Sequence, residues 1–418
     1  MITRDDCAGL DAADPLARLR ELFTIPPGTV YLDGNSLGVM PAATPARVAR
    51  VVAQEWGHGL IGSWNSAGWM DLPQRVGDKI ARLVGAGAGE LVAADSTSVN
   101  LYKVLSAALT ITQADAAGRR CIVSERSNFP TDLYIAEALA RERGCELVLV
   151  GPDEIAARLT SDVAVLMLTH VNYRTGRMHD MAALTQAAHA AGALVVWDLA
   201  HSAGAVPVDL SAADADFAVG CGYKYLNGGP GAPAFVWVHP KHVDRFWQPL
   251  AGWIGHAAPF EFTPGYRPAR GIARYLCGTP PVLQLAALEC GVDTVLAAEA
   301  HGGIAALRRK SLALTRLFAE LVDERCAGHG LSVVSPREDA LRGSQVCLAR
   351  KGGAYAIVQA LIARGVVGDF RAPDVLRFGF TPLYIGFAEV WDAVEQLRQI
   401  MASGEWKEAR FNERAAVT

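Results

Sequence analysis

Ala193-Leu194-Val195-Val196-Trp197-Asp198 runs straight into Leu199-Ala200-His201-Ser202-Ala203-Gly204. The first stretch is apolar up to a terminal acid, as a strand covered on both faces requires, where a half-exposed strand would alternate. Asp198 is thereby delivered to the carboxyl end of its strand, the edge at which open α/β sheets bind ligands. The same texture repeats outward from this run. Leu91–Ala94, Cys121–Ser124, Glu146–Val150, Val163–Leu168, Phe217–Gly220 and Ala234–Val238 read as further strands. Asn100–Thr112, Asp132–Arg143 and Met181–Ala191 read as helices between them, the last stopped by Gly192. The alternation predicts an α/β fold with a mostly parallel seven-stranded sheet.

Beyond Pro280 the pattern changes. Val282–Ala300 and Ile304–Val322 read as long helices, followed by short strands near Ser332–Val334 and Gln345–Ala349. A helix at Ala354–Ala363, a strand at Val375–Phe378 and a helix at Phe387–Ile400 complete a smaller α+β unit. The expected division is a large α/β domain over 51–285 and a small domain over 286–418, with an N-terminal segment over 1–50 packing on the small one.

Composition narrows the function. The 418 residues carry a net charge of −4, from 39 Lys+Arg against 43 Asp+Glu, with no basic run interleaved with aromatics. A nucleic-acid surface therefore has no support, and small molecules are the expected partners. Asp5, Asp6, Asp11 and Asp14 stand where a secretory signal needs a basic start and an apolar stretch. No apolar run reaches the roughly 18 residues a bilayer demands. A cytoplasmic protein without membrane contact is expected. The eight cysteines are scattered singly, with no Cys-x-x-Cys pair, which speaks against structural zinc or a disulfide framework and leaves no metal site in view.

The chemistry is densest on two successive strands. One strand after Asp198 comes Gly220-Cys221-Gly222-Tyr223-Lys224-Tyr225-Leu226-Asn227-Gly228-Gly229-Pro230-Gly231, a lysine among glycines and aromatics. Pyridoxal 5′-phosphate needs this pairing: a lysine amine condenses with the cofactor aldehyde, and a carboxylate keeps the pyridine nitrogen protonated so that the ring accepts electrons. Singly, Asp198 reads more readily as a helix cap and Lys224 as a solvated cation. Together, on consecutive strands, they read as a site. Asp95-Ser96-Thr97-Ser98 follows a strand and opens a helix, so that Thr97 and Ser98 suit a phosphate, or serve as ordinary helix caps. Tyr223 could add its hydroxyl to the same phosphate. Phe129, before Pro130, Thr131 and Asp132, is placed to stack on a flat ring, while Asp132 either contacts that ring or caps its own helix.

These motifs resemble the kynureninase family, in its bacterial form. The resemblance spans nearly the whole chain and is carried by Tyr31-Leu32-Asp33-Gly34-Asn35-Ser36-Leu37-Gly38, Ser96–Leu101, Asn128–Asp132, His170–Gly176, Trp197–Gly204, Gly222–Asn227, Gly278–Pro281 and Arg377-Phe378-Gly379-Phe380-Thr381-Pro382-Leu383-Tyr384. Asp-x-x-His followed by Lys is shared with cysteine desulfurases, but the blocks around Lys224 and Arg377 are more diagnostic. The resemblance implies the aspartate-aminotransferase-like fold type I and pyridoxal-phosphate-dependent hydrolysis of L-kynurenine to anthranilate and L-alanine, a step of tryptophan breakdown. It implies a Schiff base at Lys224, Asp198 on the ring nitrogen, Phe129 on the ring face, and Asp132, Thr169 and His201 around it. Thr97, Ser98 and Tyr223 then hold the phosphate, Tyr223 relays protons, and Arg377 clamps the substrate carboxylate. Trp253 and Thr279 would reach the phosphate from a neighbouring subunit, making a homodimer with shared sites. Trp64 is the candidate wall beside the substrate ring, favouring unhydroxylated kynurenine over 3-hydroxykynurenine, and reads otherwise as a packing aromatic. A cysteine desulfurase would need a mobile reactive cysteine late in the chain, whereas Cys326 and Cys347 fall at a helix end and in a strand.

Overall fold

The computed structural model describes residues 2–414. The central sheet contains β1 (Leu91–Ala93), β2 (Cys121–Glu125), β3 (Glu146–Val150), β4 (Val163–Thr169), β5 (Leu194–Asp198), β6 (Phe217–Gly220) and β7 (Phe235–Val238). They lie in the order β1-β7-β6-β5-β4-β2-β3. β6, β5, β4, β2 and β3 are mutually parallel, and β7 runs antiparallel to both β6 and β1. The carboxyl ends of β1, β2, β4, β5 and β6 consequently share one edge. Register carries this to single residues, with Thr169 opposite Asp198 and Asp198 opposite Val219.

Successive side chains of a strand point to opposite faces, and the core divides accordingly. Val165, Val196 and Val219 pack with Leu101, Val104 and Leu105 of the Thr97–Asp115 helix on one face. Leu166, Val195, Trp197 and Ala218 pack on the other face, in the cluster that includes Val76, Ile80, Leu285 and Leu288. Every residue of β4 is buried, whereas the edge strand β3 is buried only at Val150. On the second face the Leu72–Leu83 helix approaches so closely that a Cβ on Gly77 would lie 2.2 Å from the Leu91 carbonyl oxygen. The seven strands lie where the apolar runs predict them. The Thr97–Asp115 helix starts three residues before the predicted Asn100, because Ser96 caps it by accepting from the Val99 N–H at 3.3 Å.

A second, antiparallel sheet contains β8 (Ser332–Val333), β9 (Gln345–Ala349), β10 (Asp369–Arg371) and β11 (Val375–Gly379), in the order β10-β11-β9-β8. Nothing in the apolar pattern predicts β10, since Asp and Arg are weak strand formers. Its pairing sets Asp369 directly opposite Arg377, an opposite-charge cross-strand pair. The N-terminal segment is tied to this region. Val30–Tyr31 pairs in parallel with Val366–Val367, and the Arg4–Ala12 helix lies against Phe387–Ser403. Arg4 meets Asp392 at 2.7 Å, and the Asp11 carboxylate accepts from the N–H groups of Phe387 and Ala388 at 2.6 and 2.9 Å. Asp11 of this helix thus completes the N-terminus of the last one.

Candidate active site

The carboxyl edge of the large sheet opens into a cavity of about 360 Å³, within the range of small-molecule sites. Ten of the predicted residues line it: Thr97, Ser98, Phe129, Thr131, Asp132, Thr169, Asp198, His201, Tyr223 and Lys224. Asp198 and Thr169 sit there as the last residues of β5 and β4, and Lys224 follows β6. The Lys224 loop is held by close approach. A Cβ on Gly38 would lie 2.4 Å from the Lys224 carbonyl oxygen, and the Gly38 N–H donates to the Tyr223 carbonyl at 2.7 Å. The distant Tyr31–Gly38 motif thus packs directly on the lysine motif.

Asp198 Oδ1 accepts from the Ala200 N–H at 2.8 Å, and its Oδ2 lies 3.5 Å from the Thr169 hydroxyl. That hydroxyl also reaches Asn128 Oδ1 and, at 3.4 Å, Asp132 Oδ2. Lys224 Nζ lies 2.9 Å from His201 Nε2. Burial, with the neighbouring Asp198 charge, holds the Asp132 carboxyl well above the usual range, and burial raises Asp198 despite the Lys224 charge beside it. Burial and Lys224 lower His201, keeping its imidazole neutral. Burial also raises the Tyr223 phenol, which stays protonated and able to donate.

These residues fit pyridoxal 5′-phosphate. Two buried carboxylates face the cavity, and among the described residues neither has a lysine or arginine within ion-pair distance, a donor set suited to a protonated ring nitrogen. Lys224 is the only cation lining the cavity among the described residues. Phe129 stands edge-on to Tyr173 at 5.3 Å, 42% exposed, with its ring at the cavity wall. At the other end the Ser96, Thr97 and Ser98 hydroxyls and the first turn of their helix supply donors for a phosphate.

Five predicted residues are not brought into this cavity. Pro130 only starts the Pro130–Arg143 helix between two lining neighbours. Arg377 is buried and already engaged: Nε donates to Asp369 Oδ1 at 2.8 Å, Nη2 to Ser36 at 2.6 Å and to Asp369 Oδ2, and Nη1 to the Tyr173 carbonyl at 2.8 Å. The fork expected to clamp a substrate is therefore closed on Asp369. Its charge still reaches the site, as one cause of the lowered His201 pKa. Trp64 is half-buried and stands edge-on to Trp69 at 5.7 Å. Trp253 and Thr279 are exposed, Trp253 stacking edge-on to Phe260 at 5.8 Å. Conversely Asp95, Asn128, Tyr173 and Asp369 matter here without having been singled out. Asp95, Asn128 and Tyr173 lie inside quoted motifs, but no motif marks Asp369.

A family profile, the kynureninase C-terminal domain, matches residues 307–397. The chain is 58% identical to a kynureninase of Pseudomonas fluorescens and 55% identical to one of Burkholderia pseudomallei, each alignment covering all of both chains. The chain belongs to the kynureninase family. The wider fold is shared beyond kynureninases. A cysteine desulfurase from Thermococcus onnurineus superimposes with a TM-score of 0.77 at 19% identity, over 92% of this chain and 98% of its own. A C-DES variant with glycine covalently linked to its PLP cofactor gives 0.77 at 15% identity, over 95% and 99%. These likenesses carry the fold alone. The two late cysteines weighed for a desulfurase, Cys326 and Cys347, are buried, and burial pushes their thiols up to about 11, away from a reactive thiolate.

Proposed function

We propose that this member of the kynureninase family is a pyridoxal-phosphate enzyme that hydrolyses L-kynurenine to anthranilate and L-alanine, with 3-hydroxykynurenine as a poorer substrate. The observation that carries the reading is Lys224 and Asp198 facing one cavity from the ends of adjacent strands, in a chain 58% identical end to end to a kynureninase. When bound, the cofactor supplies an electron sink for the substrate α-carbon. Asp198 would hold the ring nitrogen in its protonated form, with Thr169 and Asp132 setting the polarity around it. Phe129 would cover the ring face, and Thr97, Ser98 and Tyr223 would take the phosphate. Lys224 moves the α-proton, which the hydrogen bond to a neutral His201 orients. Water adds to the γ-carbonyl carbon, the Cβ–Cγ bond breaks, the acyl carbon leaves as the anthranilate carboxyl group, and the β-carbon takes a proton. The Tyr223 phenol, held protonated by burial, is the relay for that proton.

Arg377, closed on Asp369, would draw the substrate carboxylate through its field, and Trp64, outside the cavity of its own chain, would border the substrate ring from a second subunit. We further propose a homodimer in which Trp253 and Thr279 complete the partner's phosphate site. Support comes from an exposed apolar patch of Trp253, Phe260 and Phe262, exposed by 37%, 62% and 77%. A cytoplasmic location is part of this reading. Among the described residues no helix is long and apolar enough to cross a membrane. Purified protein given L-kynurenine should release fluorescent anthranilate. No anthranilate, with sulfide released from cysteine instead, would overturn the assignment.

A further inference from the structure

Lys103 has no exposed surface, although it belongs to the helix whose first turn forms one end of the cavity. A buried ammonium is costly unless it is paired and hydrogen-bonded. Its Nζ donates to Asp95 Oδ2 and to the Tyr275 carbonyl oxygen, both at 2.5 Å. Asp95 in turn lines the cavity, with 30% of its side chain exposed, immediately before Ser96, Thr97 and Ser98. Its backbone is left-handed at φ +50°, a conformation that Asp adopts more readily than most residues but that needs holding. The Asp95 carbonyl holds it from one side by accepting from the Ala234 N–H at 2.9 Å, and Lys103 from the other.

The charges make the arrangement informative. An anion at the Ser96–Ser98 turn would meet hydroxyls, N–H groups and one carboxylate, Asp95. Lys224, the one cation lining the cavity among the described residues, belongs to the lysine loop rather than to this turn. Left unpaired, Asp95 would repel a phosphate dianion. We propose that Lys103 is a positioning residue for the cofactor phosphate: from behind the wall it neutralises Asp95 and holds the turn in the shape that presents its donors. This rests on the pyridoxal-phosphate reading given above.

The test separates the phosphate from the ring. Full-length protein is freed of cofactor and titrated, by absorbance, with pyridoxal 5′-phosphate and with pyridoxal. Lys103→Met preserves the buried stem but strips Asp95 of its partner. Affinity for pyridoxal phosphate should fall roughly 10- to 100-fold, the scale of one uncompensated like charge a few ångströms away in a partly buried site. Affinity for pyridoxal should change by much less. The double variant Asp95→Asn/Lys103→Met removes both charges, keeps the side-chain sizes, and should recover most of the lost affinity. Equal losses for the two ligands would mean a general loss of structure and overturn the proposal, as would unchanged affinity in Lys103→Met or no recovery in the double variant. If the unmodified protein takes up neither ligand, the cofactor reading itself falls, and this proposal with it.

Discussion

Asp95 with Lys103 and Asp369 with Arg377 are both carboxylate–cation pairs whose cation is buried, yet they sit about the cavity in opposite positions. At the cofactor half the acid touches the cavity and the cation is hidden behind it, so the wall is neutral before any ligand arrives. At the substrate half the pair stands behind Tyr173, and the cation reaches forward only through the Tyr173 carbonyl and its field at His201. The first half is preformed. The second is paired with itself, and on the proposed reading it must yield part of that pairing, or supply its field alone, to take a substrate carboxylate. Substitutions at the cofactor half should therefore depress kcat, and those at the substrate half should raise KM.

The largest expected effect is at Lys224. Lys224→Ala removes the proton carrier and should lower kcat by about 10,000-fold or more, the upper end of what a positioned general base contributes. Retention of even a tenth of the activity would break the distinction at its strongest point. Single-turnover measurement of anthranilate release is the check.

Next comes the substrate half. Arg377→Lys keeps the charge but loses the planar fork that spans Asp369, Ser36 and the Tyr173 carbonyl. We expect kcat/KM to fall roughly 100-fold, the worth of a lost charge-assisted pair of hydrogen bonds, with most of the loss in KM. Asp369→Asn keeps the arginine but loosens its aim, and about a tenfold loss should follow. If either variant instead lost kcat at unchanged KM, Arg377 would belong with the cofactor half.

This difference between the halves also decides what the sequence reveals. The cofactor half grows from strand ends, and its residues lie beside apolar runs that any reader can find: Asp198 closes one, Lys224 follows another, Thr97 opens a helix after a third. Its geometry was legible because the parallel sheet brings all those ends to one edge. The residues grouped around Arg377 come together differently: Asp369 meets it through cross-strand register, while Ser36 and Tyr173, distant in the chain, reach it only through hydrogen bonds from its guanidinium. Arg377 was named through a family likeness, and its partner Asp369 was missed because a three-residue strand of polar ends has no periodicity to read. Lys103 was hidden for a different reason: a lysine in an apolar helix looks like a solvated residue until its burial is known.

A pH measurement sharpens the contrast further. Burial, with the Asp369 charge, pushes the Asp33 carboxyl up to about 7 from an ordinary 3.8, despite the nearby Arg377. Below pH about 4 both folded and unfolded chains hold that proton; between about 4 and about 7 only the folded chain does. More protons are then bound in the folded state, so this group's contribution to stability declines as pH rises through the window and levels off above it. Asp33→Asn should flatten that decline in urea midpoints measured from pH 4 to 8. The same slope in both proteins would show that the substrate half is not held in the charge-crowded state described here.

The smallest effect is expected at Trp64. In its own chain it packs edge-on against Trp69, whose indole N–H donates to Glu55 at 2.9 Å, and it lies outside the cavity. A role beside the substrate ring therefore requires a second subunit to carry it there, as proposed for Trp253 and Thr279. A hydrophobic wall discriminates poorly against an added hydroxyl, so Trp64→Phe should shift the kcat/KM ratio of kynurenine to 3-hydroxykynurenine by only about threefold, toward the hydroxylated compound. Trp69→Phe supplies the comparison, because it loosens the same aromatic pair without touching the wall. If the two variants shift the ratio equally, Trp64 acts through packing alone, and the substrate half of the cavity is complete within one chain.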